Sequence, residues 1–166
     1  MRLVLSALAL LFSAGNVLSQ TEEVYVALPL DNIKITSLYG YRRDPMTGKR
    51  TFHNGLDLRA KYENVYAMAG GIVEKTGKDG RSGIFMTIRH GNITVTYCHL
   101  SKVMAKAGTH VRARQTVAIS GNSGRSTGPH LHIIIRYMGN TIDPVPVLLF
   151  IAQKIKGTGQ DHYIAK

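Results

Sequence analysis

The chain has 166 residues, of which 44% are hydrophobic and 19% are charged, a size and composition that suit one folded domain. Lysine and arginine outnumber aspartate and glutamate by 21 to 10, which gives a formal net charge of +11. This excess favours an anionic polymer or lipid surface as a partner. The basic residues are scattered and no recognised nucleic-acid-binding motif accompanies them, which argues against specific nucleic-acid recognition.

Residues 1–19 have the layout of a secretory signal peptide. Met1 and Arg2 precede an apolar run over 3–12, and small and polar residues follow over 13–20. The apolar run is shorter than the about 20 residues that a membrane-spanning helix needs, so no transmembrane segment is predicted. Cleavage near Gln20 leaves 166 − 19 = 147 residues, and cleavage after Gly15 is an alternative. The single cysteine, Cys98, leaves an exported chain without an intramolecular disulfide.

Short β-branched and aromatic runs alternate with glycine-containing turns through the rest of the chain. This pattern predicts an all-β, mostly antiparallel domain with little helix over 20–156, which we expect to be a monomer. A helix of one or two turns is predicted over 102–107 and a C-terminal helix over 147–156, followed by a flexible basic tail over 157–166. The predicted strands cover 33–38, 65–76, 83–90, 93–99, 116–120 and 130–137.

Three separated motifs carry imidazole and carboxylate groups, which zinc and similar divalent metals bind. A catalytic zinc commonly has three protein ligands and one open position for water. The motifs contain enough groups for such a site and two further imidazoles beside it. They are HNGLD over 53–57, YCHL over 97–100 and GPHLH over 128–132.

The spacing within two of these motifs has geometric consequences. His130 and His132 are two residues apart, so a strand would place them on one face about 6.6 Å apart. His53 and Asp57 would be about 13 Å apart in a straight strand, too far to share a metal. Because Gly55 lies between them and is conformationally permissive, we predict a kinked segment there.

The order and combination of the motifs resemble those of the M23 (LytM or lysostaphin-type) zinc metallopeptidases. The matching stretch runs from about 33 to 149. Beyond the three histidine motifs, it includes SLYGYRRDP over 37–45, VYA over 65–67, GGIV over 70–73, HGN over 90–92 and SGRST over 123–127.

This resemblance implies an antiparallel β fold with an open substrate groove and one Zn²⁺ held by His53, Asp57 and His132. It further implies that His99 and His130 are the catalytic pair beside the metal. Similar proteins are exported to the periplasm or cell wall of bacteria, where they cleave peptidoglycan peptides in glycine-containing bridges or in stem and cross-link peptides. No His-Glu-x-x-His motif is present, so the two histidines are the candidates for general acid and base.

Three residues next to the site histidines are each expected to have a particular orientation or effect. Cys98 is expected to be a small buried residue whose sulfur points away from the face bearing His99, if the strand alternates regularly. Tyr97 is expected either to orient or cap the groove or to pack in the core. Ile134, where the family often has an acidic residue, is expected to share a face with His132 and to affect substrate preference.

Three other functions remain open from the residues alone. A non-catalytic module of this fold could regulate another cell-wall hydrolase, although all five site residues are present. A lipoyl-like carrier is suggested faintly by the pattern over 108–121, but no lysine lies at an obvious hairpin tip. A serine peptidase could use His53, Asp57 and Ser123, yet that arrangement leaves three histidines without a task.

Overall fold

The computed structural model describes residues 25–157 and contains twelve strands and one helix in that range. The predicted signal peptide and residues 158–166 of the predicted tail lie outside the described residues. No helix within 25–157 is long and apolar enough to cross a membrane. The elements are β1 Ile35–Ser37, β2 Gly40–Arg43, β3 Arg50–His53, β4 Leu56–Arg59, β5 Asn64–Tyr66, β6 Gly71–Asp79, β7 Gly83–His90, β8 Ile93–Val103, β9 His110–Val111, β10 Thr116–Ser120, β11 His130–Tyr137, β12 Asn140–Ile142 and α1 Pro144–Gly157.

Ten strands form one sheet, in which β1, β4, β11, β8, β7, β6 and β9 lie side by side in that order. β12 pairs with β11, and β10 pairs with both β5 and β8. β2 and β3 form a separate two-stranded sheet, and every strand pairing in the described range is antiparallel. The predicted all-β antiparallel class is confirmed.

The two faces of β11 have different environments because successive residues of a strand point to opposite sides. Leu131, Ile133 and Ile135 are fully buried in the hydrophobic core, which also contains the buried apolar residues of α1. The other face carries the histidines of the candidate site. The core therefore fixes the strand that presents them.

The C-terminal helix is confirmed with slightly wider bounds than predicted. It begins at Pro144, where proline is favoured because the first turn of a helix leaves its N–H groups unpaired. Asp143 precedes it and accepts a hydrogen bond from the backbone N–H of Val145 at 3.0 Å, which caps the first turn. The predicted strands over 83–90, 116–120 and 130–137 have the same bounds in the structure, whereas 33–38 shortens to β1.

Two predicted elements were wrong. No helix forms over 102–107, because Lys102 and Val103 continue β8 and pair with Ile119 and Ala118 of β10. The single strand predicted over 65–76 is divided into β5 and β6. The division lies at Ala67, which exchanges backbone hydrogen bonds with the 114–115 loop instead of a neighbouring strand.

Candidate metal and catalytic site

Strand pairing brings the central residues of the site together. Asp57 on β4 lies opposite His132 on β11, and His132 also lies opposite Cys98 on β8. Directly opposed residues of antiparallel strands have their side chains on the same face, about 4.5–5.5 Å apart at Cβ. The sheet register therefore places the Asp57 carboxylate beside the His132 imidazole.

His53 reaches the same point through the predicted kink. β3 ends at His53 and β4 begins at Leu56, and the two strands belong to different sheets. Gly55 allows this change of direction because atoms of β11 lie very close to its backbone and leave no room for a side chain. Its backbone is not in the left-handed conformation. A Cβ atom there would lie 2.3 Å from the carbonyl oxygen of Ile133 and 2.7 Å from Cε1 of His132.

Three potential metal-ligand atoms converge beside the sheet. His53 Nε2 lies 3.1 Å from His132 Nδ1 and 3.2 Å from Asp57 Oδ1, and His132 Nδ1 lies 2.7 Å from the same oxygen. Two atoms bound to one tetrahedral zinc at about 2.0–2.1 Å would be about 3.3 Å apart. The three atoms are therefore already close to the separations that one ion requires. This donor set fits zinc.

The hydrogen bond of the His53 ring also suits a metal ligand, because it determines which ring nitrogen carries the hydrogen. Its Nδ1 lies 2.7 Å from the carbonyl oxygen of Leu38, which can only accept, so Nδ1–H donates this bond. In the neutral ring, Nε2 then carries the lone pair. This nitrogen is the one that faces Asp57 and His132, as a metal ligand must.

His99 and His130 are oriented as His53 is, by a hydrogen bond from Nδ1–H to a backbone carbonyl oxygen. His99 Nδ1–H donates to the carbonyl oxygen of Ser123 at 2.8 Å, and His130 Nδ1–H donates to that of Gly128 at 2.8 Å. The Ser126 hydroxyl donates to the Gly128 carbonyl at 2.7 Å. The two rings lie 4.6 Å apart at their centroids, and His130 Nε2 is 3.6 Å from Asp57 Oδ1. Both imidazoles thus have an unprotonated Nε2 available for proton transfer in their neutral form.

The buried surroundings adjust the charges of the site. Burial raises the pKa of Asp57, but the adjacent imidazoles, above all His132, outweigh it and hold that pKa below its usual range. Arg42 adds a cation, with Nη2 lying 3.6 Å from Asp57 Oδ2. Burial lowers the pKa of His99 and His132. At neutral pH the Asp57 carboxylate is therefore ionised, and the His99 and His132 imidazoles are neutral.

The expected orientation of Cys98 was wrong. His99 has a φ of 59°, and the β7–β8 register shifts at this point. Regular alternation is lost, so Cys98 and His99 both line the groove. Cys98 is nevertheless buried, as expected, and burial raises the pKa of its thiol to about 12. It is therefore a protonated, unreactive side chain at neutral pH.

The histidines lie in an open groove of about 660 Å³, walled by the β2–β3 turn and the loop between β10 and β11. Ile134 lines it beside His132, as predicted. Tyr97 does not line it: the ring is fully buried and its hydroxyl accepts a hydrogen bond from the backbone N–H of Met68 at 3.2 Å. Four groove-lining arginines were missed by the sequence analysis, namely Arg42, Arg81, Arg125 and Arg136.

The chain is similar in sequence and structure to known peptidases. It is 34% identical over 147 residues to the peptidoglycan DD-endopeptidase ShyC of Vibrio cholerae, a match that covers 87% of this chain and 34% of the relative. The chain therefore spans about a third of that relative's length.

Two solved structures share the fold. A crystal structure of a zinc-containing peptidase from Vibrio cholerae superposes with a TM-score of 0.67 at 32% identity, covering 74% of this chain and 39% of that one. The catalytic domain of the antimicrobial peptidase lysostaphin from Staphylococcus simulans superposes with a TM-score of 0.64 at 29% identity, covering 72% and 94% respectively. A family model described as Peptidase family M23 matches residues 51–144, more than half of the chain. With all five site residues gathered in one groove, the chain belongs to peptidase family M23.

Proposed function

We propose that this chain is a zinc-dependent endopeptidase that hydrolyses peptide bonds in bacterial peptidoglycan. The observation that carries the proposal is the convergence of three ligand atoms, within 4.8 Å of one another, beside two further imidazoles. A structural metal site would need only the ligands. The two additional imidazoles, with their Nδ1–H groups bound to carbonyls, are suited to moving protons.

In this proposal His53 binds zinc through Nε2, Asp57 through Oδ1 and His132 through Nδ1. When bound in such a site, zinc activates a water molecule and polarises the scissile carbonyl group. The burial that surrounds Asp57 and His132 limits access of bulk water and strengthens the attraction between the carboxylate and a cation.

His99 and His130 supply the proton transfers. Nε2 of one imidazole accepts a proton from the attacking water, and an imidazolium then donates a proton to the leaving amine or a hydrogen bond to the developing oxyanion. The lowered pKa of His99 keeps its ring unprotonated at neutral pH, which is the form that a general base requires.

We also propose that the chain is exported to the bacterial periplasm or cell wall. The signal-peptide layout over 1–19 and the peptidoglycan activity named for the relative ShyC support this location. The net charge of +11 supports contact with an anionic wall surface. Mass spectrometry of the N-terminus of protein recovered from cell fractions tests it, and an uncleaved N-terminus in the cytoplasmic fraction would contradict it.

Two variants test the catalytic proposal by separating metal binding from chemistry. His132→Ala should lose stoichiometric zinc and activity, whereas His99→Ala should keep about one zinc per chain and lose activity. Zinc is measured by elemental mass spectrometry, and hydrolysis by mass spectrometry of fragments released from defined peptidoglycans. Unchanged zinc in His132→Ala would disprove the ligand assignment.

A chelator adds a control for the reaction class. Metal removal should abolish hydrolysis by the wild-type protein, and added zinc should restore it. Hydrolysis that survives chelation would indicate a serine peptidase instead. Intact zinc binding with no peptidoglycan cleavage under any condition would indicate a non-catalytic binding module.

A further inference from the structure

Arg136 continues the row of side chains that begins with the site histidines. His130, His132, Ile134 and Arg136 alternate along β11 on the face that lines the groove. Arg136 lies four positions after His132, so their backbones are about 13 Å apart along the strand. This distance corresponds to about four residues of an extended peptide. A substrate lying in the groove with its scissile bond at the histidines would extend past Arg136.

The strand holds this arginine firmly. β11 lies inside the sheet, and Arg136 pairs with Thr94 of β8 on one side and Thr141 of β12 on the other. Arg136 itself is partly buried. A guanidinium on a paired inner strand has a better-defined position than one on a loop. It is therefore suited to binding one particular group of a ligand and not only to attracting anions in general.

Arg136 also has no carboxylate partner within residues 25–157, unlike two of the other groove arginines. Arg42 contacts Asp57 and Arg125 contacts Asp44. The contact of the Arg136 guanidinium is with the neutral hydroxyl of Thr96, at 3.5 Å. Its cross-strand neighbours Thr94 and Thr141 are also neutral. Its charge and its other N–H donors are therefore available to an anion, and planar carboxylates fit this group best.

We propose that Arg136 binds a carboxylate of the substrate peptide and makes this enzyme selective for peptides in which that carboxylate is free over those in which it is amidated. An amide has no negative charge to attract the guanidinium. This inference rests on the proposed peptidase function and adds a residue that determines its specificity. Ile134, between Arg136 and the histidines, supports it by offering an apolar surface to the intervening part of the peptide.

The test compares cross-linked muropeptides whose stem carboxylates are either free or amidated. The ratio of kcat/KM for the free over the amidated substrate is measured in the wild-type protein, in Arg136→Gln and in Arg136→Lys. The wild-type ratio should be at least about tenfold, the size of one hydrogen bond to a charged group. The ratio should fall to about one in Arg136→Gln, mainly through a change in KM. It should be intermediate in Arg136→Lys, because lysine keeps the charge but cannot form a bidentate hydrogen bond.

Arg112→Gln is the matched control, because it removes the same charge from an exposed loop position outside the groove. Its ratio should equal that of the wild-type protein. A wild-type ratio of about one, or an unchanged ratio in Arg136→Gln, would overturn the carboxylate contact while leaving the peptidase function intact. If the wild-type protein cleaves neither substrate with zinc present, the proposed function fails together with the inference.

Discussion

The Arg42 guanidinium contacts the oxygen of Asp57 that faces away from the histidines. Its Nη2 lies 3.6 Å from Asp57 Oδ2, while Oδ1 faces His53 and His132. Arg42 is on β2, in the two-stranded sheet, so a separate element holds the carboxylate from behind. This contact fixes which carboxylate oxygen faces the two histidines.

We expect Arg42→Met to weaken zinc binding by about 10–100-fold, the usual effect of removing a group that orients a metal ligand. Arg43→Met is the control, since Arg43 lies on the same strand but is exposed and does not line the groove. Competition with a chromophoric chelator measures both affinities. Equal affinities in the two variants would show that Arg42 does not orient Asp57.

Gly55→Ala should damage both the fold and the metal site. The added methyl group would lie 2.3 Å from the Ile133 carbonyl oxygen and 2.7 Å from the His132 ring, so the strand or the ring must move. We expect a loss of about 1–3 kcal/mol in the free energy of unfolding, together with weaker zinc binding. Gly80→Ala, where a Cβ would meet nothing within 4 Å, should change neither. Urea denaturation and zinc titration provide the measurements.

Asp44 and Arg125 connect the two walls of the groove. Arg125 Nη2 donates to both carboxylate oxygens, at 2.7 and 2.8 Å. This hydrogen bond is the main reason that the pKa of Asp44 lies below its usual range. Arg125→Gln should therefore raise the pKa of Asp44 towards its ordinary value, as measured by NMR titration of the carboxyl carbon. Arg81→Gln should leave it unchanged, and a similar increase in both variants would count against the pairing.

His90 should make the fold less stable in mild acid. It is buried outside the groove, where Nδ1–H donates to the Gly70 carbonyl at 2.9 Å and Nε2 has no protein partner in the described part of the chain. Burial lowers the pKa of His90. Below about pH 6.5 the unfolded chain therefore binds more protons than the folded one, and stability falls as pH decreases through that value.

The corresponding measurement is the free energy of unfolding of zinc-free protein at about pH 7.5 and about pH 5.5. His90→Asn should lose less stability between these values than the wild-type protein does. His110→Asn, at an exposed position on β9, should show the wild-type difference. An undiminished pH dependence in His90→Asn would assign the acid sensitivity to other groups.

Sequence patterns predicted the parts of the site that depend on strand periodicity. Alternation placed His130, His132 and Ile134 on one face, and the distance between His53 and Asp57 required the observed kink. The antiparallel class followed from β-branched runs separated by turns. These features are local, so the residues that determine them are near one another in the chain.

Features that depend on distant strands could not be predicted. The strand over Lys102 and Val103 exists because β10 pairs with it, and no local signal distinguishes it from a short helix. The irregularity at Cys98 and His99 depends on the β7–β8 register. The carbonyl groups that orient the imidazoles belong to Leu38, Ser123 and Gly128, and every residue has such a group. Period-two alternation does extend to Arg136, so this arginine could have been found.

The left-handed backbone at His99 means that the proposed proton-transfer role and stability favour different residues at this position. A φ of 59° costs a residue with a Cβ atom about 1–2 kcal/mol, a cost that glycine avoids and asparagine tolerates better. A substitution that abolishes proton transfer here can therefore relieve backbone strain. In thermal screens of variants at this position, greater stability could accompany a loss of activity. The residue that gives this position its greatest stability is consequently not histidine.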